Sequence, residues 1–335
     1  MEEQPSHPDM GLFRNLDCVM ETSDPNTSKI EYTTFYVLTS NDVAFFGQIH
    51  KAKTEITVEE ITNALEQVPD HTIFPPMLET TKLMVAPDHT ESEFYIKRPN
   101  LSVYELFKDD DFLARLLLSE AVTMQEIAQH PHPNIARYHG VRLRRGRITG
   151  LVLDNYPCTL LEHVKRGLSL DWKKSMQSLE SAVAHLHSLG LAHNDINPEN
   201  IMVTADNVLI LIDFGSCGPF GKRVPTQGTP EWTDKIDGRS GKEHDVFGLD
   251  KIRKWFQAEC TKENVPDDGE HSGSSGTATA DYMDSTESGT DLSSPSSDQS
   301  NTQSDFLADA NTRDFQKGPA ESRLVLPPLT WQGGN

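Results

Sequence analysis

The segment HNDINPEN, residues 193–200, sets Asp195 five positions before Asn200, and eighteen residues beyond Asp195 the chain reads IDFG, with its acid at Asp213. Two apolar runs, IMV and VLILI, separate Asn200 from Asp213 and are joined by the turn-forming trio Ala205-Asp206-Asn207. Such a hairpin runs out and back, so Asp213 returns beside Asn200. A carboxylate and an amide oxygen meeting across a hairpin form a hard-oxygen pair suited to Mg²⁺, and Asp195 is left facing an acceptor. Phosphoryl transfer asks for such parts: a metal on the phosphates, a group that orients the acceptor hydroxyl, and fixed positive charge. Lys97 in EFYIKRP and Glu120 further along can supply a charge pair for the phosphates.

The elements that must position these groups are legible around them. EFYIKRP reads as a short strand and DDFLARLLLSEAVTMQEIAQ as a helix, while IARYHGVRLRRGRITGLVLDNY reads as two strands around Arg145-Gly146. In LDWKKSMQSLESAVAHLHSLG, Met176, Leu179, Val183 and Leu186 share one helical face and Gly190 suits the C-terminal end. EHDVFGLDKIRKWF is a last helix. Upstream, TTFYVLTSNDVAFFGQI reads as two strands joined by Ser40-Asn41-Asp42. TVEEITNALEQV follows as a helix with a Thr57/Glu60 capping box and Ile61, Leu65 and Val68 on one face. Four arginines, Arg142, Arg144, Arg145 and Arg147, crowd the later hairpin and read as a solvated tip ahead of an anion site.

Composition bounds the rest. The 335 residues suffice for one large domain or two. No apolar run approaches membrane-helix length, and MEEQPSHPDM lacks the features of a secretory signal. The scattered Cys18, Cys158, Cys217 and Cys260 read as reduced thiols of an intracellular, cytoplasmic or nuclear, protein. A net charge of -21 argues against general nucleic-acid binding. Four segments are expected. Residues 1–28 form a flexible start, 29–84 a small extension of two strands plus a helix, 85–260 the main domain, and 261–335 a disordered acidic tail. That tail carries 13 acidic residues against 4 basic ones, a net of -9, and is rich in Ser, Thr and Gly with little to bury. Its end, SRLVLPPLTWQ, is a short apolar cluster that reads either as a docking motif or as a fortuitous run.

The ordered set resembles the protein kinase superfamily over roughly residues 85–258. HNDINPEN stands for HRDLKPEN, IDFG for the DFG segment, YIKRP for VAIK, GTPEW for the end of a Ser/Thr kinase activation segment, and DVFGLD for the start of helix F. YIKRPN, HPHPNIARYHG, HNDINPENIM and IDFGSC are similar to a group of fungal protein kinase-like proteins of the Ser/Thr type. The resemblance implies a two-lobed α+β fold and a Mg²⁺/ATP-dependent phosphotransferase. Asp195 would be the catalytic base, and Asn200 and Asp213 the Mg²⁺ ligands. Lys97 would pair with Glu120 and touch the phosphates. Leu153 would be the gatekeeper, with Asp154 to Tyr156 as the hinge that meets adenine. His193, Phe214, Met124 and Tyr138 would stack as an internal spine, and Asp245 would be a buried anchor. Lys97 read alone is also compatible with a surface lysine, and Glu126 competes with Glu120 for its partner.

Five departures temper that expectation. No G-x-G-x-x-G precedes Lys97, and Tyr95 stands where the family has a small alanine. Asn197 replaces the lysine that meets the transferred phosphate, and Asn194 replaces the arginine of HRD, so loop phosphorylation is not expected to switch activity on. The C-lobe is expected to be shortened after helix F, and the glutamate of the APE motif is missing. Three functions follow from the same residues: a slow protein kinase, a pseudokinase acting as a binding or scaffold module, and a small-molecule kinase. The protein substrate or partner is not identified by the sequence.

Overall fold

The computed structural model describes residues 16–24, 26–87, 93–234 and 238–262. The first fifteen residues, the acidic tail from 263 onward and its apolar end lie outside the described residues, and so do the expectations placed on them. The described residues up to Gln257 belong to one unit; of a second, Ala258–Ala320, only the end of the last helix is described.

The chain opens with an antiparallel sheet of β1 (Cys18–Ser23), β2 (Ile30–Leu38), β3 (Ala44–Ile49) and, after α1 (Val58–Ala64), β4 (Glu66–Gln67), in the order β1-β2-β3-β4. The expected hairpin and capped helix start are present: Thr57 Oγ1 accepts from Glu60 N at 3.2 Å and Glu60 Oε2 accepts from Thr57 N at 3.0 Å. The helix is shorter than expected: it stops at Ala64, Glu66–Gln67 pairs with β3 as a strand, and Val68 joins the main core apart from Ile61 and Leu65. β1 was not expected, because Cys18–Ser23 falls in the polar stretch read as loose; pairing with β2 supplies the order its composition does not. Strand periodicity gives this sheet two buried faces. Phe35 and Val37 face a small core with Phe45, Ile61 and Leu65, while Tyr36, Ala44 and Phe46 join the main core of the chain. The extension therefore shares a core with the elements that follow.

After α2 (Asp70–Ile73) come β5 (Phe94–Lys97), α3 (Tyr104–Phe107), α4 (Phe112–Ala128), β6 (Tyr138–Arg144) and β7 (Arg147–Asp154). The three strands form an antiparallel sheet in the order β5-β7-β6, and Arg145 and Gly146, at φ 48° and 70°, make the tight turn. Among the described residues β7 is the strand that pairs with β5. The segment before β5 instead lies along the far edge of the sheet, where Ala86 N donates to Val141 O at 3.0 Å and Val141 N to Met84 O at 2.8 Å. Gly140, at φ 123°, permits that approach, since a Cβ there would meet Met84 O at 2.6 Å.

The remaining elements are β8 (Cys158–Thr159), α5 (Leu160–Lys165), α6 (Trp172–Ser188), β9 (Leu191–Ala192), β10 (Ile201–Val203), β11 (Leu209–Leu211), β12 (Gly218–Pro219) and α7 (Lys242–Lys262). β10 pairs with β11 in the expected hairpin and also with β8. No helix among the described residues is long and apolar enough to cross a membrane.

The arginine-rich hairpin corrects the sequence reading. Its tip docks on the extension. Arg145 pairs with Asp70 at 2.7 Å and donates to Asn41 O at 2.7 Å. Arg142 donates to Ser40 O at 2.9 Å, and Arg147 to Phe74 O at 2.8 Å.

Candidate active site

The loop from His193 to Asn200 is fixed from below by α7. Asp245 is fully buried, and its carboxylate accepts His193 N at 2.9 Å and Asn194 N at 2.7 Å, with His187 Nε2 at 2.8 Å. A buried carboxylate that accepts backbone N–H groups satisfies donors that a tight loop leaves orphaned. His193 is fully buried, packs edge-on against Phe214 at 5.1 Å, and has Nε2 2.9 Å from Ile212 O. It holds the loop to the hairpin and is committed to structure. Met124, Tyr138 and Phe214 are buried with it, as the expected spine requires.

Asp195 lies at the top of this loop, half-buried, with both oxygens engaged. Oδ1 accepts Thr229 N at 2.7 Å and Asn197 Nδ2 at 3.1 Å; Oδ2 accepts Asn200 Nδ2 at 2.9 Å and Thr229 Oγ1 at 3.2 Å. Gly228 lets the Thr229 segment come this close, because a Cβ on it would lie 2.6 Å from Asn194 O. Asn197 is buried and spends its amide on this loop. Its Nδ2 also donates to Thr229 Oγ1 at 3.1 Å, and its Oδ1 accepts from Glu199 N and Asn200 N.

Across the cleft, β5 ends at Lys97, whose buried ammonium donates to Glu120 Oε1 at 2.6 Å and Asp213 Oδ1 at 2.8 Å. Glu120 comes from α4 and also accepts Phe214 N at 3.1 Å, while the competing Glu126 is exposed. Burial works against charge on Lys97, but the two carboxylates outweigh it and its pKa is raised. For Asp213 burial pushes upward and is overcome by the Lys97 charge, the Lys97 hydrogen bond and Gly215 N–H, so the acid is held below its usual range. Asp213 itself sits at φ 60°, a left-handed conformation that turns its carboxylate into the cleft.

One ammonium serves both carboxylates of this cluster, and their shifts oppose: burial raises the Glu120 pKa, while Lys97 holds Asp213 low. The oxygens of Asp213 and Asn200 beside it are hard donors suited to Mg²⁺. Among the described residues no group of three or more His, Cys, Asp or Glu could hold a metal ion. The cavity here is about 120 Å³, lined by Lys97, Glu120, Asp195, Asn200, Asp213 and Thr229 among others.

The other end of the cleft is narrower. Leu153, Asp154 and Tyr156 line a cavity of about 40 Å³ with Tyr95, Met202 and Ile212. The structure thus brings every sequence-assigned site residue to one continuous cleft. Sequence reasoning missed Thr229, although GTPEW was noted, and missed the use made of Asn194. That side chain is buried, donates to Ala192 O, Ser216 O and Ser240 Oγ at 2.9–3.0 Å, and accepts from Gly241 N at 3.2 Å.

Residues 84–249 match the family model of the protein kinase domain. The chain belongs to the protein kinase superfamily. Similar proteins, at modest identity, include several named as kinases, some of them as Ser/Thr kinases. It is 29% identical over 136 residues to the yeast MAP kinase kinase kinase SSK2, covering 39% of this chain and 8% of that protein. It is 33% identical over 97 residues to the rat mitochondrial Ser/Thr kinase PINK1, covering 27% of this chain and 17% of that protein. It is 37% identical over 101 residues to the human MAPK/MAK/MRK overlapping kinase, covering 29% of this chain and 24% of that protein. The match therefore spans less than a quarter of the length of each of these curated relatives.

Proposed function

We propose that this protein is a slow Mg²⁺/ATP-dependent phosphotransferase of the Ser/Thr protein kinase type. The observation that carries the reading is the Lys97 ammonium bridging Glu120 and Asp213 in the same cleft as Asp195 and Asn200. In this reading Lys97 neutralises the donor phosphates and Glu120 fixes Lys97. Asn200 and Asp213 would hold Mg²⁺, and the bound cation would supply charge that stabilises the transferring phosphoryl group. Asp195 orients the acceptor hydroxyl and takes its proton, and Leu153, Asp154 and Tyr156 line the narrow end of the cleft on the nucleoside side. Asn197 leaves the transferred phosphate without the extra positive charge a lysine at this loop position would add, the physical reason for a low rate. The working unit is residues 85–260 together with the extension 29–84.

A pseudokinase is the second reading. It is favoured by the four donors that saturate Asp195 and by Tyr95 in the narrow end of the cleft. Two measurements separate the readings. ATP with Mg²⁺ at 100 times its dissociation constant raises unfolding stability by about 2.7 kcal/mol, and Asp213→Asn abolishes the Mg²⁺-dependent part. Phosphate transfer to a generic Ser/Thr substrate is lost in Asp195→Asn with nucleotide binding retained. Nucleotide binding with no Asp195-dependent transfer selects the pseudokinase.

A further inference from the structure

Strand periodicity places Tyr95 and Lys97 on the same face of β5, toward the cleft, while Ile96 between them faces the opposite side with Arg142 and Val152. Lys97 reaches the acidic cluster. Tyr95, two residues earlier, lies over the apolar slot formed by Leu153, Met202 and Ile212. This slot is the flat apolar part of the cleft, with the chemistry a nucleobase would need. Its remaining space, about 40 Å³, takes a few waters and is too small for a purine. At the polar end the space is about three times larger, 120 Å³. Tyr95 is half-buried where it lines the slot, and that burial raises its phenol pKa.

We propose that the donor site grips a Mg²⁺-bound triphosphate by its phosphates and is indifferent to the nucleobase, with Tyr95 occupying the seat a base would take. The inference rests on the phosphotransferase reading of the Lys97–Asp213 end and deepens it. The ligand class is a nucleoside triphosphate of any base, and inorganic tripolyphosphate belongs to the same class. Tyr95 is a specificity-determining residue: the phenol takes the space in which a base would make the apolar face contacts that favour a base over none and the polar edge contacts that separate adenine from guanine.

The test measures binding of ATP, GTP, tripolyphosphate and adenosine to the full chain by calorimetry, each with Mg²⁺, in the natural protein, Tyr95→Ala and Asp213→Asn. The natural protein is expected to bind the three triphosphates within about threefold of one another and adenosine not at all. Tyr95→Ala is expected to prefer ATP over tripolyphosphate by about tenfold and to acquire adenosine binding. The natural-protein comparison needs no substitution, so poor folding of Tyr95→Ala leaves the test intact. A natural protein that prefers ATP by tenfold or more overturns the inference and leaves the Mg²⁺-nucleotide reading standing. Triphosphate preferences unchanged in Tyr95→Ala also overturn it. No Mg²⁺-dependent binding of any triphosphate, with Asp213→Asn indistinguishable from the natural protein, overturns both.

Discussion

The carboxylate of Asp42, fully buried in the turn of the extension, lies 2.8 Å from Arg98 Nε and 3.0 Å from Arg142 Nε, and accepts Thr149 Oγ1 at 2.8 Å. Arg98 follows Lys97 directly. The extension therefore grips the end of β5 that presents the phosphate-side lysine, and Tyr36 OH adds a 3.3 Å contact to Asn100 just beyond. Removing one partner of a buried ion cluster leaves charge without compensation. Asp42→Ala should lower unfolding free energy by about 3–5 kcal/mol in urea titrations. A loss below about 1 kcal/mol would show that the turn does not hold the strand.

Lys97 bridges the buried Glu120 carboxylate and the partly buried Asp213 carboxylate, so its removal has a pH signature. In Lys97→Met, Glu120 and Asp213 face each other without a cation, and burial plus mutual repulsion raises their folded pKa values above the unfolded ones. A carboxyl with a raised folded pKa contributes stability below its unfolded pKa and loses it as pH rises through the folded value. Lys97→Met should therefore be closest to the natural protein near pH 4–5 and fall behind it toward pH 8, by about 3–5 kcal/mol. Equal destabilisation at both pH values would contradict this. In the natural protein Asp213 has the opposite sign: its depressed pKa contributes stability above the ordinary carboxylate range, lost as pH falls.

Asn194 ties three segments together from a position where its relatives in the kinase family carry an arginine. Asn194→Ala strands a buried donor, Gly241 N, and three acceptors. The expected cost is about 2–3 kcal/mol, from the unpaired groups. Asn194→Arg should cost more, since a guanidinium does not fit a site closed by Ser240 and Ser216, and should not confer activation by loop phosphorylation. Thermal unfolding of both variants, and kinase assays before and after phosphatase treatment, check the pair of outcomes.

His132 and His185 stack at 5.1 Å, where α6 meets the loop after α4, with His132 Nε2 3.1 Å from Ser181 Oγ and His185 Nε2 2.6 Å from His130 O. Burial and the His185 charge hold His132 below the usual histidine range. A histidine with a depressed folded pKa contributes stability that is complete above its unfolded pKa and lost as pH falls through the folded value. The melting temperature should fall between pH 7 and pH 5, and His132→Gln should flatten that slope. An unchanged slope in His132→Gln would assign it elsewhere.

Local chemistry was readable wherever one segment of sequence contained the whole signal. The Thr57/Glu60 capping box, the Arg145-Gly146 turn, the β10–β11 hairpin and the face of α6 each depend on residues a few positions apart. So did the spacing of Asp195, Asn200 and Asp213, because a hairpin of fixed length converts sequence distance into spatial return. β1 escaped notice since a polar strand owes its order to its partner, β2.

The amino-acid sequence by itself determined the cleft's ingredients: Lys97, Glu120, Asp195, Asn200 and Asp213, their spacing, and the elements that carry them. Tertiary structure alone decided what surrounds them. Asp42 and Arg98 are 56 residues apart, and Arg145 meets Asp70 across 75. No periodicity spans such distances, so arginines that read as solvated became clamps once the extension packed beside them. Tyr95 was visible as a departure, but its reach into the slot depends on how closely β5 approaches Met202 and Ile212. Spacing along a strand or hairpin is fixed by covalent geometry; contacts between distant segments are set by the packing of the whole core.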